Sequence, residues 1–299
     1  MVFNTDNGGP GITPRNSRNP SWPAGWTWGG PYTSVLAYLL PFVEQDNVYK
    51  ILYNASAYSG NSGTFQPGDY FRLGSTIPAW AYDTPPFDYQ VAGGVGPNGA
   101  NYTGYPHICD SRIKTFLCPA DSAQDLTTTG GVIDAYSTFG GSIWIDYVYD
   151  WPNFGHEMGA SNYIGCAGYL GDNPSATAAK YKGIFYANSK TKITDITDGT
   201  SNTIAFGETL GGTFYGSRDF RLAWMGAGAM PTAWGLPTDQ NARWYRFSSK
   251  HSGIVQFGFA DGSVRGLRKG ATSGTAYNAY IAASGMNDGV VIDFSQIGN

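Results

Sequence analysis

The sequence predicts an α+β protein, and three observations carry that expectation. One stretch near the start, residues 33–54, has helical periodicity. The later apolar stretches are short and rich in β-formers, as strands are. The composition is that of a loop-rich β-protein: 42 Gly and 21 Tyr in 299 residues, with 13% charged side chains, against a usual share of about 25%.

Residues 1–31 carry Pro, Gly, Asn and Trp without periodicity and are expected to form an irregular N-terminal arm. The helical text is TSVLAYLLPFVEQDNVYKILYN, where Leu36, Leu39, Leu40, Val43, Val48, Ile51 and Leu52 recur near i, i+3, i+4 spacing. Pro41 removes a backbone donor and splits the stretch into two short helices. Residues 55–107, rich in Gly, Tyr, Pro and Asn, read as a long loop insertion. TFLCPAD, 115–121, is expected to be a short strand stopped by Pro119, and 122–160 a second insertion with SIWIDYVYDW as a strand. SNYIGCAGYLG, at 161–171, reads as a strand whose small residues let backbones approach closely. ITDITDGTSNTIAFGE holds a turn at Asp198–Ser201 and then the strand TIAFGE. KHSGIVQFGFADGSVRGL reads as a strand, a tight turn at Asp261-Gly262 and a second strand. NDGVVIDFS is expected to be the last strand. Residues 32–299 thus make one domain interrupted by two insertions.

Charge excludes some functions. The net charge is −4 and no basic run exists, so neither nucleic acid nor an anionic membrane surface is an expected partner. No stretch approaches the ~20 apolar residues of a spanning helix. Low charge with abundant Gly, Tyr, Asn, Ser and Thr points to an extracellular or cell-surface protein. Of the three cysteines, Cys109 and Cys118 are placed to close a small disulfide loop. Zinc is not expected, since C-x2-C and H-x3-H pairs are missing. Asn54 and Asn101 open N-x-S/T sequons, candidate glycosylation sites.

Five motifs, in order, carry a resemblance: LLPFVEQDNVY, FLCPAD, SNYIGCAG, ITDITDGTSNTIAFGE and HSGIVQFGFADGSV. Together they resemble the prepilin-like family of planctomycete-type bacteria, long carried as a domain of unknown function, with its His-x9-Asp-Gly signature. The residues carrying it here are Cys118, Pro119, Asp198, Gly199, Ser201, Asn202, Thr203, Glu208, His251, Asp261 and Gly262. The resemblance implies a secreted, pilin-like head, a short helix laid on an antiparallel sheet. It also implies a long hydrophobic helix ahead of the head, which this sequence lacks.

Each motif has a plain structural reading beside a functional one. The Asp198–Thr203 turn, with Asp195 upstream, offers the hard oxygens that Ca²⁺ prefers, and Asp195, Asp198 and Asn202 are the candidate ligands. The favoured reading is a turn whose Asp and Ser satisfy backbone N–H groups. Glu208 ends an apolar strand, where a buried carboxylate would pair with Arg243, Arg246 or His251; an acid–base role is the lesser reading. His251 is expected to fasten the start of the strand that Asp261-Gly262 ends. No G-x-S-x-G motif supplies a nucleophile. The nine Trp and many Tyr fit cores and subunit interfaces better than a sugar platform.

The expected function is therefore structural and not enzymatic: a self-associating subunit of an extracellular filament, pilus or secretion pseudopilus. A secreted glycan- or protein-binding module is the alternative, and a two-carboxylate hydrolase ranks last. No cofactor is expected beyond the candidate calcium.

Overall fold

The computed structural model describes residues 34–53, 111–123, the strands between 130 and 150, 159–186 except 172 and 174, 189–212, and 218–298 except 219, 220, 226, 227, 240, 242 and 244. The expected arm 1–31 and the first insertion, 55–107, lie outside these residues, as do Asn54, Asn101, Cys109, His107 and His156.

The helical stretch divides at Pro41, as expected. Helix α1 (Val35–Leu39) runs into a 3-10 turn over Leu40–Val43, and Glu44 reverses the chain with φ +60° before α2 (Asp46–Tyr53). Ser34 caps α1: its Oγ accepts from Leu36 N–H at 3.0 Å and donates to the Trp224 carbonyl. Leu36, Ala37 and Leu40 enter the main core with Trp224, Phe247, Phe257 and Tyr280.

That core lies against a five-stranded sheet in the order β11-β10-β7-β6-β9. Its strands are β6 (Tyr163–Gly168), β7 (Ile204–Glu208), β9 (Ala229–Pro231), β10 (Ile254–Phe259) and β11 (Val264–Arg268). Neighbours are antiparallel except β6 and β9. Along β10 burial alternates, with Val255, Phe257 and Phe259 inside, the period that the sequence announced. The Phe257 ring meets Phe247 at 5.1 Å and Tyr280 at 5.9 Å, both edge-on.

A second sheet has the order β4-β1-β8-β5: β1 (Gly130–Ile133), β4 (Tyr147–Asp150), β5 (Ala160–Ser161) and β8 (Arg221–Ala223). Strands β2 (Ser137–Phe139) and β3 (Ser142–Trp144) pair with each other. The second insertion thus builds four strands. SIWIDYVYDW forms two of them, β3 and β4, which pair into different sheets. Among the described residues no helix is long and apolar enough to cross a membrane.

Two expectations are corrected, and one helix was unforeseen. TFLCPAD is not a strand: a 3-10 turn at Lys114–Phe116 leads into irregular chain. Its backbone bonds go to Asn162, whose N–H donates to Phe116 O at 2.8 Å and whose Oδ1 accepts from Cys118 N–H at 2.9 Å. NDGVVIDFS forms no strand either. Asp288 and Asp293 accept from Val290 and Ser295 N–H and turn the chain locally, and Val291 is 95% exposed. Helix α4 (Gly274–Ser284) was not anticipated. From Tyr280 to Ser284 every residue is buried, so no amphipathic stripe marks it. A short α3 (Ala176–Lys180) completes the helices described here.

Candidate functional site

Three of the motifs converge on one point. Cys118 lies beyond the 3-10 turn, Glu208 ends β7, and His251 precedes β10. His251 Nε2 is 3.2 Å from Glu208 Oε1 and 3.7 Å from Cys118 Sγ, and the three donor atoms lie within 4.8 Å of one another. Glu208 and Cys118 are buried; the imidazole is a third exposed. Of the partners expected for Glu208, the structure selects His251. Cys118 is a free thiol among the described residues; Cys109, its expected partner, lies outside them.

Each group is held from behind. Glu208 Oε2 accepts from Gln256 N–H at 2.8 Å. His251 N–H donates to Ser249 Oγ at 3.1 Å, and Lys269 Nζ donates to the carbonyls of Ser249 and His251. Asn162 fixes Cys118, as above, and also donates through Nδ2 to Asp121 Oδ2 and to Thr209 O. Asp121 in turn receives both terminal nitrogens of Arg218, whose Nε donates to Leu210 O. Both residues are partly buried, with side-chain exposures of 2% for Asp121 and 12% for Arg218. Burial alone would raise the Asp121 carboxyl; Arg218 and Asn162 outweigh it and hold it below the usual range.

The cluster lines part of a cavity of about 400 Å³. Leu36 and Leu39 of α1, Phe206 and Phe257 of the sheet, Tyr163 and Val264 line much of the rest, and Pro119 stands on the wall beside Cys118. Burial pushes the Cys118 thiol up, a backbone N–H at Ala120 pulls the other way, and the Glu208 carboxylate adds to the rise. Burial, with Cys118 and Glu208 nearby, pushes the Tyr163 hydroxyl up to about 12.

This arrangement is not a nucleophile–base–orienter relay. Such a relay uses one imidazole nitrogen for the nucleophile and the other for the carboxylate, whereas Nε2 faces both here. A thiol held protonated is also a poor nucleophile. As donors, the same atoms form a mixed sulfur, nitrogen and oxygen set, and among the described residues no other group of three Cys, His, Asp or Glu side chains gathers this closely.

The remaining signature residues meet elsewhere. Thr200 and Thr203 offer their carbonyls to Asp261 and Ala260 N–H at 3.1 and 2.9 Å. Asn202 Nδ2 donates to the Asp198 carbonyl, and Thr203 Oγ1 to the Gly199 carbonyl. Asp198 does accept backbone N–H groups, but those of Asp288 and Gly289, at 2.6 and 3.0 Å. Asp195 is turned to Lys192 N–H at 2.8 Å. Ser201 is exposed.

A family model described as "Protein of unknown function (DUF1559)" matches residues 6–269. The chain belongs to that family. Neither a curated protein nor a solved structure matches it. The family match takes in Cys118, Glu208 and His251 and stops before α4. Asp121, Asn162, Tyr163 and Arg218 were not singled out from the sequence. The first three sit inside the quoted motifs FLCPAD and SNYIGCAG, a signal that could have found them; Arg218 has none.

Proposed function

We propose that this chain is a structural subunit, self-associating into an extracellular filament, pilus or secretion pseudopilus through apolar contacts of a pilin-like head. One observation carries the reading: the face beside the N-terminal helices is left uncovered. Phe42, one turn beyond Leu39, is 80% exposed, and Val264 on the cavity wall is 69% exposed. Exposed large apolar side chains are what interaction surfaces are built from. The resemblance to prepilin-like proteins supports the same reading.

The cavity favours a second reading, a secreted glycan- or protein-binding module. Its volume falls in the range of roughly 300–1,000 Å³ of small-ligand sites. A two-carboxylate hydrolase is the least supported, since among the described residues Glu208 is the one carboxylate on the cavity wall. Electron microscopy of native material, with its mass in solution, tests the subunit reading. Ordered filaments are expected. A monomer at every concentration, with no filaments on cells, sinks it, and oligosaccharide titrations then test the second reading.

A further inference from the structure

We infer that Cys118, Glu208 and His251 form a binding site for a zinc-class divalent transition metal. The spacing fits. Bonds of about 2.0 Å to nitrogen and oxygen and about 2.3 Å to sulfur put tetrahedral edges at roughly 3.3 Å for N···O and 3.5 Å for N···S. The corresponding distances are 3.2 and 3.7 Å. The third pair, held within 4.8 Å, closes by at most about 1.3 Å on loading, within reach of a side-chain rotation.

The donor chemistry sets the class. Thiolate, imidazole and carboxylate together suit zinc, cobalt(II) or iron(II), whereas calcium and magnesium take oxygens alone. The expectation of no zinc rested on short-range Cys and His spacings. These donors come from three segments 90 and 43 residues apart in sequence, counted from Cys118 to Glu208 and from Glu208 to His251, so no spacing motif could reveal them.

The surroundings are those of a prepared site. Gln256 N–H orients the second carboxylate oxygen, Asn162 fixes the Cys118 backbone, and Ser249 and Lys269 fix that of His251. The cavity supplies an entry path and room for a fourth ligand, with the Tyr163 hydroxyl on its wall. On binding, the thiol releases its proton to solvent and the imidazole binds through Nε2 with its hydrogen on Nδ1. The inference is independent of assembly, because a lone subunit holds all three donors.

The test is titration of the purified chain, stripped with chelator, with Co²⁺. One equivalent should produce tetrahedral d–d bands and a thiolate-to-cobalt charge-transfer band, reversed by Zn²⁺. Cys118→Ser should abolish the charge-transfer band and Cys109→Ser should keep it. His251→Gln and Glu208→Gln should weaken binding at least about tenfold. No saturable band, or a band that survives Cys118→Ser, overturns the site. Should Cys118→Ser fail to fold, His251→Gln decides, since its position is a third exposed: tenfold weaker binding supports the site, and unchanged binding refutes it.

Discussion

Asp121 and Arg218 form a charge pair with little side-chain exposure that holds the Cys118 loop to the core. Breaking such a pair leaves the Asp121 carboxylate without a counter-charge, held only by hydrogen bonds such as that from Asn162. Arg218→Ala is therefore expected to cost about 3–5 kcal/mol, read by denaturant unfolding, and to loosen the Cys118 loop. His251→Ala leaves Glu208 with the Gln256 N–H and is expected to cost about 1–3 kcal/mol; unchanged thermal stability would remove the idea that His251 fastens its strand. The Glu208–His251 pair was legible because a carboxylate closing an apolar strand needs a partner and three cations were candidates. The third member was not. A cysteine next to proline, nine residues from another, reads as a loop disulfide, and only the fold's long-range pairing shows it beside Glu208 and His251.

Among the elements, the β10–β11 hairpin was the most readable: alternation marks the strand and Asp-Gly marks its end. The loop is one residue longer than expected. Phe259 N–H donates to Ser263 O at 2.8 Å, leaving Ala260, Asp261 and Gly262 as a three-residue loop, with Gly262 at φ +85°. Gly207 in β7 is set by a different need. A Cβ there would stand 2.5 Å from the Phe257 ring and 2.6 Å from that of Phe247, so only glycine lets both rings press on the strand beside Glu208. The 286–290 loop, docked on Asp198, carries a pH signature. Burial, together with the nearby Asp198, raises the Asp288 carboxyl to about 6, although Val290 N–H works against the rise. A carboxyl whose folded value lies above its unfolded value of about 3.9 binds protons more tightly when folded. Its contribution is full below about pH 4 and is lost as pH rises through about 6. Stability from this group should thus grow on acidification from pH 7 to 5. Asp288→Asn should flatten that slope in unfolding measured across the range, whereas the Asp121 contribution acts below it with opposite sign.

At the scale of the whole molecule, the α+β class was legible, but the second sheet was not. It joins β1 and β4 from the second insertion to β5 and β8, in text that breaks every few residues at glycine. Helix α4 escaped for the converse reason, being buried all round at its C-terminal half. The uncovered face beside α1 belongs to this scale too. Phe42→Asp and Val264→Asp change exposed positions and should leave unfolding within about 0.5 kcal/mol, while sedimentation or microscopy shows assembly lost. Assembly unaffected by either change would move the interface elsewhere. The hairpin tip offers a last consequence. Amide protons at an exposed turn normally trade with deuterium within the earliest time points. Those of Ala260 and Asp261 are donated to the carbonyls of Thr203 and Thr200, so their exchange waits on separation of two chain segments about 60 residues apart. They should be retained as long as the amides of β7, and fast uptake there would mean that the turn breathes independently of the sheet.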